Sequence, residues 1–559
     1  MVINMDKKAW WKEAVVYEIY PKSFQDSNGD GIGDLRGIIN RLDYIRSLGA
    51  DVIWLCPVYK SPMCDNGYDI ADYYHVDPMF GTDEDLDELI AETGRLGIKI
   101  LMDLVVNHTS DEHEWFQKAL KDPCSKYADY YVFREGRAGE APNNWRSYFG
   151  GSAWERVGNS NRFYLHAFDR KQPDLNWECE ELREEVYKMI NYWLDKGVAG
   201  FRIDAISNIK KNIRYGTFAP DGEDGLCYIG DWILNQPGIE NFLQEMNERT
   251  FKPHNSMTVA EANVPDDLLD KFIGEKGFFS MVFDFSYTDI DVPASGEWYQ
   301  PTNWTVKEMK ERIFHSQRAL DSTGWGAPYL ENHDQPRSVN KYIPEQYIND
   351  YSKTMLGGLF MMLRGTPFIY QGEELGMENI RMDSVQDYDD IATHNQYDRA
   401  VMAGLSEKEA LHVVYLRSRD NSRTPMQWDT SKNAGFSSSG QTWLKANPNY
   451  LSINAGQNAV LTFYKELILL RKKSPYADVV VYGKFVPVED TADNIIAYER
   501  IYAEKCLMVI CNFQSEEGEM LLQKGYNKVL LDNYGDGRIE EGKIYLRPFE
   551  CAVIAKLEE

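Results

Sequence analysis

The chain has 559 residues, is 43% hydrophobic, and sets 60 basic side chains against 88 acidic ones for a formal net charge of -28. That length outgrows a single core and predicts two or three domains, and the acidic surplus argues against nucleic acid or an anionic membrane as partner, because both select basic surfaces. No run approaches the roughly 18–20 apolar residues of a membrane span and the first residues hold no apolar signal core, so a cytoplasmic protein acting on a neutral small molecule is expected.

From about residue 15 to 371, β-branched or aromatic runs alternate with charged, helix-like stretches, the pattern of repeated βα units. Eight strands are predicted, at 15–20, 51–55, 98–104, 198–204, 257–261, 278–283, 326–331 and 367–371. Eight parallel strands separated by helices make a (β/α)8 barrel. After the first strand, Asp26-Ser27-Asn28-Gly29-Asp30-Gly31-Ile32-Gly33-Asp34 sets oxygen ligands at alternate positions as an EF-hand loop does, although Gly37 stands where the bidentate Glu would be. The third connection is far longer than an ordinary βα loop, and its 131–176 stretch is rich in Gly, Asn, Trp and Tyr, so an inserted domain is expected there. A helix at Ala459–Lys473 closes the barrel, and runs at 478–482, 495–498, 507–512 and 528–531 read as an antiparallel β domain. The resulting boundaries are 1–108 and 176–479 for the barrel, 109–175 for the insert and 480–559 for the last domain. The eight cysteines are scattered without a CxxC pair or zinc spacing, which predicts reduced thiols.

Three acids close strand-like runs: Asp204 in Gly-Phe-Arg-Ile-Asp, Glu261 in Thr-Val-Ala-Glu-Ala-Asn, and Asp334 in Glu-Asn-His-Asp-Gln-Pro-Arg. In a parallel barrel catalytic groups gather where strands end, and Arg202 shares a face with Asp204 by the two-residue period, suited to hold it ionised. Glycosidic cleavage with retention needs a carboxylate nucleophile and a second carboxyl that gives and then takes a proton. Asp204 fits the first part and Glu261 the second. His108, ending Asp-Leu-Val-Val-Asn-His, and His333 beside Asp334 add donors for sugar hydroxyls.

These segments, in this order, resemble glycoside hydrolase family 13, the α-amylase superfamily, over essentially the whole chain. The resemblance implies a barrel with an inserted B domain and a C-terminal β domain, Asp204 as nucleophile, Glu261 as acid/base, Asp334 as the acid that grips ring hydroxyls, and His108, Arg202 and His333 in the −1 sugar subsite. Cys64-Asp65-Asn66-Gly67-Tyr68-Asp69 and Ser418-Arg419-Asp420-Asn421-Ser422-Arg423-Thr424-Pro425-Met426-Gln427-Trp428 are similar to the oligo-1,6-glucosidase branch, in which Asp65 binds the non-reducing sugar, Tyr68 stacks beneath it and Arg419 pairs with Asp65 to end the cleft as a pocket. Phe168 and Gln172, the latter in Gln-Pro-Asp-Leu-Asn, fall where that branch lines the pocket. The implied activity is release of terminal α-linked glucose, α-1,6 favoured, from isomaltose and related short sugars by a monomer or weak homo-oligomer without a catalytic cofactor. Ala205 departs from the valine of strict α-1,6 enzymes and, with Asn263, faces the leaving sugar, so α-1,4 cleavage stays open. A sucrose isomerase or glucosyltransferase would carry an Arg/Asp loop that 286–304 lacks, trehalose-6-phosphate hydrolysis would need basic residues on the aglycone side, and a non-catalytic transporter-associated subunit would lack the acids. The resemblance also implies a structural Ca²⁺ (or Mg²⁺) held by Asp26, Asn28, Asp30, the Ile32 carbonyl and Asp34.

Overall fold

Seven strands of the parallel set form in chain order: β1 (Val16–Ile19), β2 (Val52–Leu55), β3 (Lys99–Val105), β4 (Gly200–Asp204), β5 (Met257–Ala260), β6 (Met281–Val282) and β7 (Phe368–Tyr370). Helices fall between them, including Asp83–Leu96, Glu180–Asp195, Ile239–Met246 and Asp350–Met361, the alternation of a (β/α)8 barrel. The computed structural model describes residues 8–222, 224–293 and 295–557. They divide into two units: one takes the chain up to Ile53, Leu96–Ile98 and everything from Phe283 onward, the other Trp54–Arg95 and Lys99–Val282.

In the second unit β3, β4, β5 and β6 pair in parallel, with Arg202 opposite Asp103 on one side and Val259 on the other. Gly200 opens β4 at φ +152, and a Cβ there would lie 1.7 Å from the Met257 carbonyl oxygen. Only glycine permits that approach, which lets β4 close on β5 in the register that sets Arg202 opposite Val259. The helix Glu180–Asp195 buries Leu182, Val186, Met189, Ile190 and Trp193 along one stripe, the period-3.6 spacing that seats a helix on a sheet. Its first turn carries Glu180 and Glu181, matching the positive end of the helix dipole.

The long connection after β3 folds as an antiparallel sheet, with Arg162–Leu165 between Phe133–Glu135 and Trp154–Arg156. The chain returns through bridges His108 to Asp174 and Tyr131 to Leu175. The loop that follows β4 is tied into this insert, because Cys227–Tyr228 pairs with Trp145–Arg146 and the fully buried Trp145 stacks on Trp154 and Trp232. The loop after β4 and the insert therefore share one core, which includes Ile229 and Ile233 from the loop and Leu165 from the insert.

In the other unit β1 pairs with β7 in parallel. The expected strand at 326–331 is not a ladder strand. Gly326 and Pro328 lend carbonyls to Thr366 and Phe368 (both 3.0 Å), but Pro328 has no N–H to donate. The same unit ends in a five-stranded antiparallel sheet of β8 (Lys484–Pro487), β9 (Ile495–Tyr502), β10 (Lys505–Asn512), β11 (Tyr526–Asp532) and β12 (Cys551–Lys556), in the order β8-β9-β10-β12-β11. The run 478–482 is likewise not a strand: Ala477–Tyr482 is a helix whose Val479, Val480, Val481 and Tyr482 are all buried. Arg500 donates to the Val481 and Gly483 carbonyls at its end, so tertiary packing and a captured C-terminus override the β-branched propensity.

Candidate active site

The unit that holds β3 to β6 centres on Arg202, whose side chain is 1% exposed. Its guanidinium meets three carboxylates: Nη1 donates to Asp103 Oδ1 at 2.6 Å and to Asp204 Oδ1 at 2.7 Å, and Nη2 lies 2.7 Å from Glu261 Oε1. Sheet alternation aims Arg202 and Asp204 to one side, the β3–β4 register supplies Asp103, and Glu261 follows directly on β5. Burial works against the Arg202 charge, but Asp103, Glu261, Tyr68 and Asp204 outweigh it and hold the guanidinium well above its ordinary range. Burial, followed by Glu261 and Asp103, pushes the Asp204 carboxyl up against the opposing pull of Arg202. Three carboxylates thus share one buried cation.

Ala205, directly after Asp204, sits in the left-handed region at φ 43, ψ 33 and donates its N–H to Glu261 Oε2 at 3.0 Å. A non-glycine residue in that conformation is strained, and strain of this kind collects at functional sites. Tyr68 donates to Asp103 Oδ2 at 3.1 Å with its ring 5.6 Å from the Arg202 guanidinium carbon. The turn before it, with Asn66 at φ 49 and Gly67 at φ 106, is tied by Asp69, which accepts from the Cys64 and Asp65 amides and the Ser61 hydroxyl. Burial raises the Asp69 carboxyl to about 6.

Asp65, Gln172, His108 and Phe168 gather beside Tyr68. Gln172 donates to Asp65 Oδ2 at 3.1 Å, His108 Nε2 meets the Tyr68 carbonyl at 3.1 Å, and the Phe168 ring centre is 5.1 Å from that of His108. His108 is 1% exposed, and burial lowers its imidazole to about 4. Asn263 is exposed and accepts from Asn235 through its carbonyl.

The unit that holds β1 and β7 carries His333, Asp334 and Arg419. His333 is fully buried, with Nδ1 2.7 Å from Glu18 Oε1 and Nε2 3.1 Å from Asp334 Oδ2. Arg423 donates to Asp334 Oδ1 at 2.8 Å and to the His333 carbonyl at 2.8 Å. Arg419 donates to Asp334 at 3.1 Å and holds Asp390 Oδ1 through Nε and Nη2 at 2.9 and 2.6 Å. Burial alone would raise the Asp334 carboxyl, but His333, Arg419 and Arg423 carry it well below the usual range. The two ends of the expected Asp65–Arg419 pair thus belong to different units, and within its own unit Arg419 is anchored by Asp390, the side-chain cap of the helix Ile391–Met402.

In the loop after β1, Asp26 accepts from the Asn28, Gly29 and Gly31 amides and from the Ser437 hydroxyl. Asp34 accepts from Ser27 and caps Leu35–Asn40 through the Gly37 amide, Asn28 accepts from the Asp30 amide, and Asp30 accepts from the Ile32 amide. Hard oxygens at alternate positions are a donor set that Ca²⁺ or Mg²⁺ takes. Asp26, with four donors on its two oxygens, is the ligand that a cation would have to win from the loop's own amides.

Asp103, Glu18, Arg423 and Asp390 belong to these clusters without having been given a role from the sequence. Asp103 and Glu18 were visible only as charged residues inside apolar strand runs, a signal that fits a buried partner of opposite charge.

Two family descriptions match: the alpha amylase catalytic domain over residues 18–483 and the alpha-amylase SusG C-terminal domain over 495–553. The chain belongs to the alpha-amylase family and is a glycoside hydrolase. It is 44% identical to an oligo-1,6-glucosidase of Bacillus cereus over 562 residues, covering 98% of this chain and 99% of that one. Among solved structures it is similar to trehalose-6-phosphate hydrolase of Bacillus licheniformis (39% identity, TM-score 0.90, 98% of this chain and 100% of that one) and to isomaltulose synthase of Klebsiella sp. LX3 (36%, 0.91, 98% and 100%). Among the described residues no helix is long and apolar enough to cross a membrane.

His108 and His113 are both held neutral by burial, each lowered to about 4. Unfolding lets them take up protons below their ordinary value near ~6.5, so they stabilise the fold above that pH and the contribution is lost as pH falls toward 4. His113→Asn replaces the ring Nδ1 that caps Glu114–Lys121 with a side-chain oxygen acceptor and removes one of the two titrations; urea midpoints of this variant should fall less steeply than wild type between about pH 6.5 and 4, and equal slopes would contradict the assignment.

Proposed function

We propose that this glycoside hydrolase is an exo-acting α-glucosidase that retains anomeric configuration and favours α-1,6-linked glucose at the non-reducing ends of isomaltose, isomalto-oligosaccharides and related short sugars. The observation that carries the reading is the buried Arg202 guanidinium holding both Asp204 and Glu261. Asp204 attacks the anomeric carbon while Glu261 gives its proton to the departing glycosidic oxygen, breaking that bond and forming a glucosyl ester on Asp204. Glu261, now a carboxylate, takes a proton from water as the water oxygen attacks the same carbon, freeing glucose and Asp204. The Ala205 amide steadies Glu261 through Oε2. On the resemblance, Asp65, Tyr68, His108, Phe168 and Gln172 frame the terminal glucose, and Asp334 with His333 holds ring hydroxyls.

The α-1,6 preference is supported by the oligo-1,6-glucosidase relatives and by the buried Gln172 and Asp174 of the Gln-Pro-Asp segment. Ala205, with its small side chain, widens the aglycone side and makes maltose a secondary substrate. All eight cysteines stand as free thiols, which supports work in a reducing cytoplasm, and the enzyme acts as a monomer or weak homo-oligomer. In the loop after β1, Asp26, Asn28, Asp30, the Ile32 carbonyl and Asp34 would hold a structural Ca²⁺ or Mg²⁺ that stiffens the loop and takes no part in the chemistry.

Asp204→Asn should lower kcat on p-nitrophenyl-α-glucoside by at least ~10⁴-fold with the melting temperature unchanged; near wild-type turnover would overturn the assignment. With isomaltose, panose, maltose, sucrose and trehalose-6-phosphate compared side by side, isomaltose should have the highest kcat/KM, and glucose should be the product. Preference for maltose, isomerised sucrose or trehalose-6-phosphate would replace the linkage reading. Chelation should lower the melting temperature by ~2–5 °C, with Ca²⁺ restoring it; an unchanged melting temperature would mean that the loop stands on its own amide bonds.

A further inference from the structure

Seven residues past Asp204, Lys211 turns inward with its side chain 4% exposed. Its Nζ lies 2.6 Å from Asn107 Oδ1 and 3.1 Å from Asp174 Oδ2, the latter on a fully buried side chain. An ammonium has donors alone, so the Asn107 side-chain oxygen must face Lys211 and its nitrogen must face the other way. That nitrogen is 3.2 Å from His108 Nδ1 and 3.3 Å from Asp174 Oδ1. An amide nitrogen offers only hydrogens, hence His108 Nδ1 presents its lone pair, the ring proton sits on Nε2, and Nε2–H donates to the Tyr68 carbonyl. The Gln172 amide nitrogen, oriented by Asp65 on the nitrogen and the Asp169 amide on the oxygen, also lies 3.1 Å from Nε2 and by itself would ask for a lone pair there; the Tyr68 carbonyl, which can only accept, together with the Asn107 nitrogen on Nδ1, decides for the proton on Nε2.

We propose that Lys211 is a positioning residue for the sugar pocket: through Asn107 it fixes the tautomer and ring plane of His108 and, through His108, the backbone beneath Tyr68. The three segments that it joins are the end of β3, the return of the insert at Asp174 and the loop that follows the nucleophile. Asp174 completes the joint by accepting from the Ala167 amide at 3.0 Å while bridging back to His108. Burial lowers the Lys211 amine from its ordinary value with Asp174 opposing, and at His108 burial acts first, with Asp174 pulling up and Lys211 pulling down. Burial keeps His108 neutral against the pull of Asp174, and Lys211 adds to burial.

Without the ammonium, and once Asp174 is no longer a carboxylate accepting from the Asn107 nitrogen at 3.3 Å, nothing in that cluster obliges the Asn107 oxygen to point away from His108. The amide can turn over, offer its oxygen to Nδ1 and draw the proton there, and the Tyr68 carbonyl then loses its donor. Lys211→Met also strands a buried carboxylate, which costs folding; the double variant Lys211→Met/Asp174→Asn removes both charges and separates stability from positioning.

The inference rests on the glucosidase reading for its kinetic arm only. In ¹⁵N-histidine-labelled protein without substrate, wild-type His108, identified by its loss in His108→Asn, should show the neutral Nε2–H tautomer. The double variant should show a mixture or the Nδ1–H form. With p-nitrophenyl-α-glucoside the double variant should keep a near wild-type melting temperature while kcat/KM falls ~10²-fold, the loss lying in kcat more than KM, as misplaced contacts at the reacting sugar do; Lys211→Arg should recover part of it. Wild-type kinetics in the double variant, or a kinetic loss with the His108 tautomer unchanged, would overturn the proposal. A different preferred sugar would revise the linkage reading and leave the tautomer result standing.

Discussion

The structure around the proposed nucleophile depends on one electrostatic constraint: a single buried guanidinium, Arg202, must satisfy Asp103, Asp204 and Glu261. Removing the cation would leave three desolvated carboxylates facing one another, a loss of several kcal/mol by the measure of broken buried pairs. The backbone serves that contact. Gly200 lets β4 close on β5, the separate register with β3 sets Arg202 beside Asp103, and the left-handed turn at Ala205 returns an amide to Glu261.

Asp334 shows the opposite arrangement. There one carboxylate faces His333, Arg419 and Arg423, and it stays ionised well below the usual range. Asp204 shares one cation with two other acids and is pushed up. Two aspartates are thus driven in opposite directions, and the number of neighbouring cations decides which way each goes.

Much of this was legible in sequence because barrel strands are short apolar runs closed by a polar residue. The runs around Arg202, Val259 and Ile369 announce β4, β5 and β7 by β-branched content alone. Two runs misled for local reasons. Pro328 withholds the N–H that a ladder needs, and Val479 to Tyr482 are buried as a helix because Arg500 captures its end. The acids and histidines were legible as types at strand ends, whereas their partners were not. Asp103 meets Arg202 across 99 positions and Asp174 meets Asn107 across 67, and such pairings are fixed by register and by the path of the insert, which no local pattern encodes. Nothing in the local sequence around Lys211 marks its burial against Asp174.

The central claim is a double displacement through Asp204, and its stereochemical outcome is its most direct signature. Proton NMR of p-nitrophenyl-α-glucoside hydrolysis, recorded in the first minutes before mutarotation, should show α-glucose as the first sugar released. β-Glucose as the initial product would mean that water attacks the substrate directly, and the assignment of Asp204 as a covalent nucleophile would fall.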